Sequence, residues 1–299
     1  MSATQKRILI TGANKGIGCA TSGAVLAASD EPHVLLGSRS LERGEAARAE
    51  LVAQNPGWAS RIRVLGIDVS DDLSVSEAAQ TVAAWFEGEA HPLFGLVNNA
   101  GIGLGSAEMQ TVLNVNTHGP RRVCEAFIGL LDPGQGRIVN VSSASGTMFV
   151  AACSEERQRM LTSPDVTWQQ IEALMHEALA LEAARGDFAS AGLGDGSAYG
   201  FSKACLNAYT IALARQHPNL TINACTPGFI ETDLTRPFAE SRGMDPKAMG
   251  MKSPEEGTKA TLHLLLGELS GSGWYFGSDA QRSPLDRYRA PGDPPYQGE

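Results

Sequence analysis

Seven short apolar runs recur along the chain, each bounded by turn-forming residues. They are "RILIT" (7–11), "HVLLG" (33–37), "RVLGIDV" (63–69), "FGLVNNAG" (94–101), "GRIVNVSS" (136–143), "LTINACTPG" (220–228) and "GWYFG" (273–277). Runs that are apolar throughout suit strands buried on both faces. Helix-length segments lie between them. Strands that alternate with helices predict an α/β fold with a mostly parallel, doubly wound sheet of seven strands, covered by helices on both sides. No internal repeat or low-complexity run interrupts the pattern. The 299-residue chain is long enough for a large core. It reads as one domain over residues 1–281, followed by a tail over 282–299 whose Pro, Gly and charge content predicts irregular structure.

Local signals place several helix starts. "SVSE" (74–77) and "SPEE" (253–256) read as capping boxes, the second with a proline at a tolerated first position. One segment breaks the rhythm, because Tyr199 follows Ser143 by 56 positions without a strand pattern between. Within it Thr167 and Gln170 form a capping pair. Ile171, Leu174, Ala178 and Leu181 follow at helical spacing. This predicts a helical insertion over about 147–196, either a surface decoration or a lid over a site.

The first strand runs into "TGANKGIG" (11–18), and the next segment is helical. Gly12, Gly16 and Gly18 permit a tight turn and close approach of backbone amides to a pyrophosphate, and the helix N-terminus adds partial positive charge. The context predicts a Rossmann-type dinucleotide site, with Asn14 and Ile17 in the same loop. An NAD site carries an acid about 20 residues beyond these glycines. Ser38 and Arg39 stand there instead, and Lys15 adds a cation within the loop. A guanidinium pairs with a 2′-phosphate that a carboxylate would repel, so the pattern favours NADP(H) over NAD. Asp68, with Val69 beside it, ends the third strand. It serves either the adenine edge or a turn cap.

Tyr199 and Lys203 in "DGSAYGFSKAC" (195–205) are four apart, so one helix face can present both. Taken alone, they are either an acid–base pair or two unrelated side chains. Net charge of −9 argues against nucleic acid or an anionic membrane as partner. The five scattered cysteines point to a reducing compartment. No apolar run approaches a membrane span and no signal-peptide pattern is present, so the expected location is cytoplasmic. The six histidines show no ligand spacing, and no metal site is expected.

"TGANKGIG", "NNAG" (98–101), "NVSS" (140–143), "YGFSK" (199–203) and "PG" (227–228), in this order and approximate spacing, resemble the short-chain dehydrogenase/reductase family. The long segment before "YGFSK" resembles that family's monomeric carbonyl-reductase branch. "SRSLERG" (38–44), "CSEERQ" (153–158) and "SGWYFGSD" (272–279) also have counterparts there. The resemblance implies Tyr199 as general acid and Lys203 as its partner, which also binds the nicotinamide ribose. It implies Ser143 as the group on the carbonyl oxygen, with Ser142 the alternative. Asn116 holds a relay water, with Asn114 the alternative. A neighbouring ammonium lowers a phenol's pKa, so Tyr199 is expected to release its proton more easily. Asn98, Ala100 and Gly101 are implied beside the cofactor, Asn98 supporting the ribose, tying strands together, or both. Pro227 and Gly228 turn the chain past the nicotinamide, and Thr232 reaches the carboxamide or caps a helix.

The implied activity is NADPH-dependent reduction of a ketone or aldehyde. NADP-dependent oxidation of a secondary alcohol, or cofactor sensing without turnover, are the alternatives. The resemblance further implies a monomer, because the added segment covers the face through which simpler members pair. One departure stands out: Asn116 follows Gly101 by only fifteen residues, fewer than the branch leads one to expect. A pocket wall is then missing or remodelled. Met148, Phe149, Phe238 and Met244 are candidates to supply others.

Overall fold

A computed structural model describes residues 5–103 and 108–298. Eight strands form one sheet in the order β3-β2-β1-β4-β5-β6-β7-β8. They are β1 Lys6–Ile10, β2 Pro32–Ser38, β3 Ile62–Gly66, β4 Gly95–Asn98, β5 Arg137–Val141, β6 Thr221–Cys225, β7 Tyr275–Phe276 and β8 Arg282–Ser283. The first seven pair in parallel. The sheet therefore contains the seven expected strands and one more. Strand β8 is two residues long, pairs antiparallel with β7, and opens the segment expected to be irregular.

The chain winds outward from β1 to β3 and then returns to place β4 on the other side of β1. This reversal leaves a crevice above the carboxyl ends of β1 and β4, where open α/β sheets bind ligands. Strand alternation explains why the runs are apolar throughout. Ile8 and Ile10 face one layer, packed with α1 (Gly16–Ala28), α2 (Leu41–Gln54) and α11 (Lys259–Leu266). Leu9 faces the other, packed with α3 (Asp72–Trp85), α5 (Gly119–Phe127) and α9 (Ala198–Gln216). A short helix α4 (Met109–Leu113) precedes α5, and the link between them, Asn114–His118, is a π-helical turn. Such turns concentrate at functional sites.

The insertion comprises most of α6 (Ala144–Ala152), then α7 (Glu155–Thr162) and α8 (Trp168–Ala184). Thr167 and Gln170 form the expected capping box at α8. Trp168, Ile171, Leu174 and Met175 are buried in the same core cluster as α9, so α8 extends the core. Ser253 and Glu256 also exchange hydrogen bonds, ahead of a 3-10 turn that leads into α11. The "SVSE" box is not formed. Asp71 caps α3 instead, accepting from the Ser74 amide, and the Ser74 hydroxyl accepts from the Asp68 amide. The aspartate three residues earlier captures the free amide first. The last short helix, α10 (Arg236–Glu240), lies in the segment that follows β6. No described helix is long and apolar enough to cross a membrane.

Candidate active site

The loop between β1 and α1 is built by residues that only a few side chains can replace. Gly12 and Gly16 adopt φ of +63° and +55°, in the left-handed region. A Cβ on Gly12 would stand 2.9 Å from the Ala100 Cα, and one on Gly18 would stand 2.5 Å from the Asn99 side-chain nitrogen. Asn99 Nδ2 donates to the carbonyls of Thr11 and Gly12 at 2.9 and 3.2 Å. The Asn99 and Ala100 amides both donate to Thr11 Oγ1. The ends of β1 and β4 are thereby knitted together, and a cleft of about 660 Å³ opens above them.

Twelve of the expected cofactor residues line this cleft. Gly12, Asn14, Lys15, Gly16 and Ile17 form its floor; Ser38 and Arg39 come from the end of β2; Asp68 and Val69 follow β3; Ala100 and Gly101 follow β4; Thr232 faces the glycine loop across it. Gly18 supports the loop from behind. Asn98 does not reach the cleft. Its amide donates to Asn140 Oδ1 at 2.8 Å, tying β4 to β5, and it also contacts Cys124 Sγ. Asn99, its neighbour, occupies the cleft wall instead. Pro227 and Gly228 also lie outside the lining, and Gly228 turns at φ +95° against Ser278.

Two of the cations in the cleft are paired. Arg39 Nε lies 3.9 Å from Asp68, and Lys15 Nζ lies 2.6 Å from Asp233. Arg43, in the first turn of α2, is a third cation on the lining that the sequence reading did not single out. Asp68 is both turn cap and cleft wall, because its Oδ1 accepts from the Ser70 amide and hydroxyl at 3.0 and 2.6 Å. Burial pushes the Asp68 carboxyl up, but those bonds and the Arg39 charge outweigh it and hold its pKa below the usual value. No carboxylate ends β2.

Beyond Gly101 lie the residues expected to be catalytic, behind the cleft lining. Helices α6 and α9 cross at two glycines. A Cβ on Gly146 would meet the Lys203 backbone at 2.9 Å, and one on Gly200 would meet the Ser145 carbonyl at 3.1 Å. The close crossing brings Ser143, the N-cap of α6, toward Tyr199 in the first turn of α9, near enough for its hydroxyl to oppose a rise in the phenol's pKa. Ser143 Oγ also accepts from the Ser145 amide at 3.1 Å. Ser142 points the other way, its hydroxyl donating to the Lys203 carbonyl.

Lys203 is 4% exposed, and its Nζ donates to the Val141 carbonyl at 2.8 Å, 5.8 Å from the centre of the Tyr199 ring. Burial pushes its pKa down to about 8. The expected lowering of the Tyr199 pKa is not observed. Burial pushes this phenol up and exceeds the opposing effect of the nearby Ser143 hydroxyl. The Lys203 ammonium, which donates to the Val141 carbonyl, is not among the groups that shift this phenol.

Asn116, in the π-helical turn, is fully buried beside this pair. Its side chain accepts from the Ile102 amide at 2.9 Å and donates to the Ile102 carbonyl and the Ser202 hydroxyl. The amide is therefore committed to holding Ile102, and with it the strip Gly101–Gly103. Asn114 binds Arg122 and the Ser70 carbonyl instead. Gly103 turns at φ +139°, and a Cβ there would sit 2.3 Å from the Tyr199 ring. The shortened segment continues through residues 104–107, which lie outside the described residues. Of the candidate wall residues, Phe149 is core, packed on Phe201, whereas Met148 and Met244 are exposed and Phe238 packs against Phe229.

Residues 6–155 match the family described as short chain dehydrogenase. Carbonyl reductase (NADPH) 1 of Homo sapiens is 32% identical over 273 residues, covering 86% of this chain and 90% of that protein. The (+)-neomenthol dehydrogenase of Arabidopsis thaliana is 30% identical over 295 residues, covering 88% and 92%. Among solved structures, menthone neomenthol reductase from Mentha piperita superposes with a TM-score of 0.74 at 26% identity, covering 92% of this chain and 99% of that one. Likeness in sequence and in fold both run along nearly the whole length, and the chain belongs to the short chain dehydrogenase family.

Proposed function

We propose that this protein is an NADPH-dependent reductase of ketones or aldehydes. The observation that carries the reading is the crossing of α6 and α9, which gathers Ser143, Tyr199 and a buried Lys203 whose Nζ lies 5.8 Å from the Tyr199 ring, at the end of a cleft floored by left-handed glycines. The cleft fits a dinucleotide phosphate. No acid stands in the first turn of α1, whose N-terminus faces it, and the left-handed Gly12 lets the loop close on Ala100. Lys15, Arg39 and Arg43 would hold the 2′-phosphate, and Asp68 would reach the adenine edge. Bound there, NADPH supplies the hydride that reduces the carbonyl carbon. Ser143 holds the carbonyl oxygen as negative charge develops. Tyr199 gives its proton to that oxygen, leaving an alcohol, and regains a proton from solvent. Lys203 places a positive charge beside the transient tyrosinate. Asn116 keeps Gly101–Gly103 against this group.

The names of the relatives cover reductases and a dehydrogenase, and one site serves both directions. The test is NADPH oxidation by the purified protein against a panel of ketones and aldehydes. Tight NADPH binding with no turnover of any of them would favour a cofactor sensor. Cofactor choice has its own test. Arg39→Asp places a carboxylate where the 2′-phosphate belongs, so the NADPH Kd rises at least about tenfold, the scale of a lost charged hydrogen bond, while the NADH Kd does not. Unchanged fluorescence titrations would remove Arg39 from the phosphate site.

The reading extends to assembly. Helix α9 has 14 of 19 residues buried by its own chain, among them Phe201, Leu206 and Leu213, with α6, α7 and α8 packed on it. This supports a monomer, for which light scattering gives the mass of one chain. A stable dimer or tetramer would contradict it.

A further inference from the structure

The segment that follows β6 lines the cleft opposite the glycine loop, with Glu231, Thr232, Asp233 and Arg236 on the lining. The two sides come close there. A Cβ on Gly16 would stand 3.5 Å from the Thr232 side chain. Asp233 joins them, because its Oδ2 accepts from Lys15 Nζ at 2.6 Å. Its other oxygen accepts from Arg236 at 3.0 Å, and Arg236 Nε lies 3.6 Å from Glu231. The Lys15 bond and charge, and then Arg236, hold the Asp233 carboxyl below the usual carboxylate range, so it is ionised at neutral pH.

The backbone that carries Asp233 is fixed. The Thr232 amide donates to Thr235 Oγ1 at 3.0 Å, and that hydroxyl donates to the Ile230 carbonyl. The Glu231 amide donates to the Lys252 carbonyl at 2.8 Å, and the Lys252 amide to the Phe229 carbonyl at 2.9 Å. The carboxylate is thereby held against the one lysine of the glycine loop. Stability does not account for the pairing. The two side chains are 62% and 58% exposed, and an ion pair so open to water contributes little to folding. Its position has a larger consequence. A carboxylate on Lys15 contends for the ammonium with any phosphate that approaches it, and like charges repel.

We propose that Asp233 is a specificity-determining residue that works against the 2′-phosphate of NADP(H). It holds Lys15 when no cofactor is bound, yields it to the phosphate, and retakes it as the cofactor leaves. The proposal rests on the reading of Lys15 as a ligand of the 2′-phosphate. A cofactor without that phosphate leaves the pair intact and is indifferent to Asp233. NADP⁺ release is hastened at some loss of affinity, because a group of the same chain replaces the departing phosphate on Lys15. Cofactor or product release limits turnover in many enzymes.

The test is calorimetric binding of 2′,5′-ADP, which carries the 2′-phosphate without the nicotinamide, with 5′-AMP as control. Asp233→Asn keeps the shape of the side chain and removes its charge. It tightens 2′,5′-ADP about fivefold, the scale of an exposed ion pair, and leaves 5′-AMP unchanged. Displacement of NADP⁺ in a stopped-flow instrument slows by a similar factor, since such affinity differences lie mostly in the off-rate. Weaker or unchanged 2′,5′-ADP binding overturns the proposal, because Asp233 would then support Lys15 and not contend for it. An equal gain for 5′-AMP also overturns it, as an effect of net charge alone. In Lys15→Ala, 2′,5′-ADP binds less tightly, and adding Asp233→Asn recovers about half or less of the gain seen with the lysine present. A gain of undiminished size overturns the pairing. Unweakened 2′,5′-ADP binding in Lys15→Ala removes Lys15 from the phosphate site, and the proposal falls with that reading. A wild type that binds neither 2′,5′-ADP nor NADPH removes the dinucleotide cleft altogether.

Discussion

Tyr199→Phe loses about a thousandfold in the rate of NADPH oxidation by a ketone, within the range that removal of a general acid costs. The substitution keeps the ring, which packs against Gly103, and deletes only the hydroxyl. Ser143 retains its bond from the Ser145 amide, so the α6 cap survives. Burial raises the Tyr199 pKa, which keeps the phenol protonated through neutral and mildly alkaline pH. A proton donor must carry its proton, so this shift leaves the acid loaded and places no alkaline limb of the rate profile on Tyr199. Rapid-mixing measurement of a single turnover separates the chemical step from product release. NADPH binding, measured by fluorescence, changes far less than the rate. Comparable single-turnover rates for the two proteins would remove Tyr199 from the acid role.

What could be read in the chain and what could not divides along physical lines. Strands β1 to β7 were legible because both faces of each are covered, which demands continuous apolar runs. Strand β8 was not, because Arg282 and Ser283 carry no strand pattern. Their pairing is supported by the tail, whose Arg289 donates to Ser283 Oγ and pairs with Asp279. The Tyr199, Lys203 and Ser143 positions were legible from motif order, yet their meeting depends on Gly146 and Gly200, whose role appears only when α6 and α9 cross. Asn98 and Asn99 are adjacent and identical in kind, so register alone assigns them. Asn98 pairs with Asn140 in β5 and turns inward, and Asn99 leaves the strand for the cleft. Arg43 had a signal that passed unused. Ser40 caps α2, and a residue in the first turn of a helix that starts at the cleft edge faces the cleft. Asn116 is named by motif order, but its engagement with Ile102 depends on the π-helical turn, which no spacing announces.

Lys203→Met tests the other half of the acid–base pair by two independent readouts. The first is the rate of ketone reduction, which falls by about a hundredfold or more as the charge that supports the tyrosinate is lost. The second is the stability of the protein without cofactor as pH rises. Burial lowers the Lys203 pKa from 10.5 to about 8, so the folded state disfavours the charged form. Below pH 8 the amine is protonated in both states, and the folded protein bears the full cost. Between about 8 and 10.5 the unfolded chain holds the proton and the folded one has released it, so stability rises with pH across this window. The span corresponds to about 3 kcal/mol. The buried tyrosines act in the opposite sense above their ordinary value of about 10, but they are common to both proteins and cancel in the comparison. Urea midpoints at pH 7, 8.5 and 10 therefore converge toward those of the methionine variant as pH increases, after allowance for the bond to the Val141 carbonyl that the variant lacks at every pH. Parallel pH dependences in the two proteins would show that Lys203 is not held in a desolvated, proton-releasing state, and with it would go the account of how this site keeps a cation poised beside the phenol.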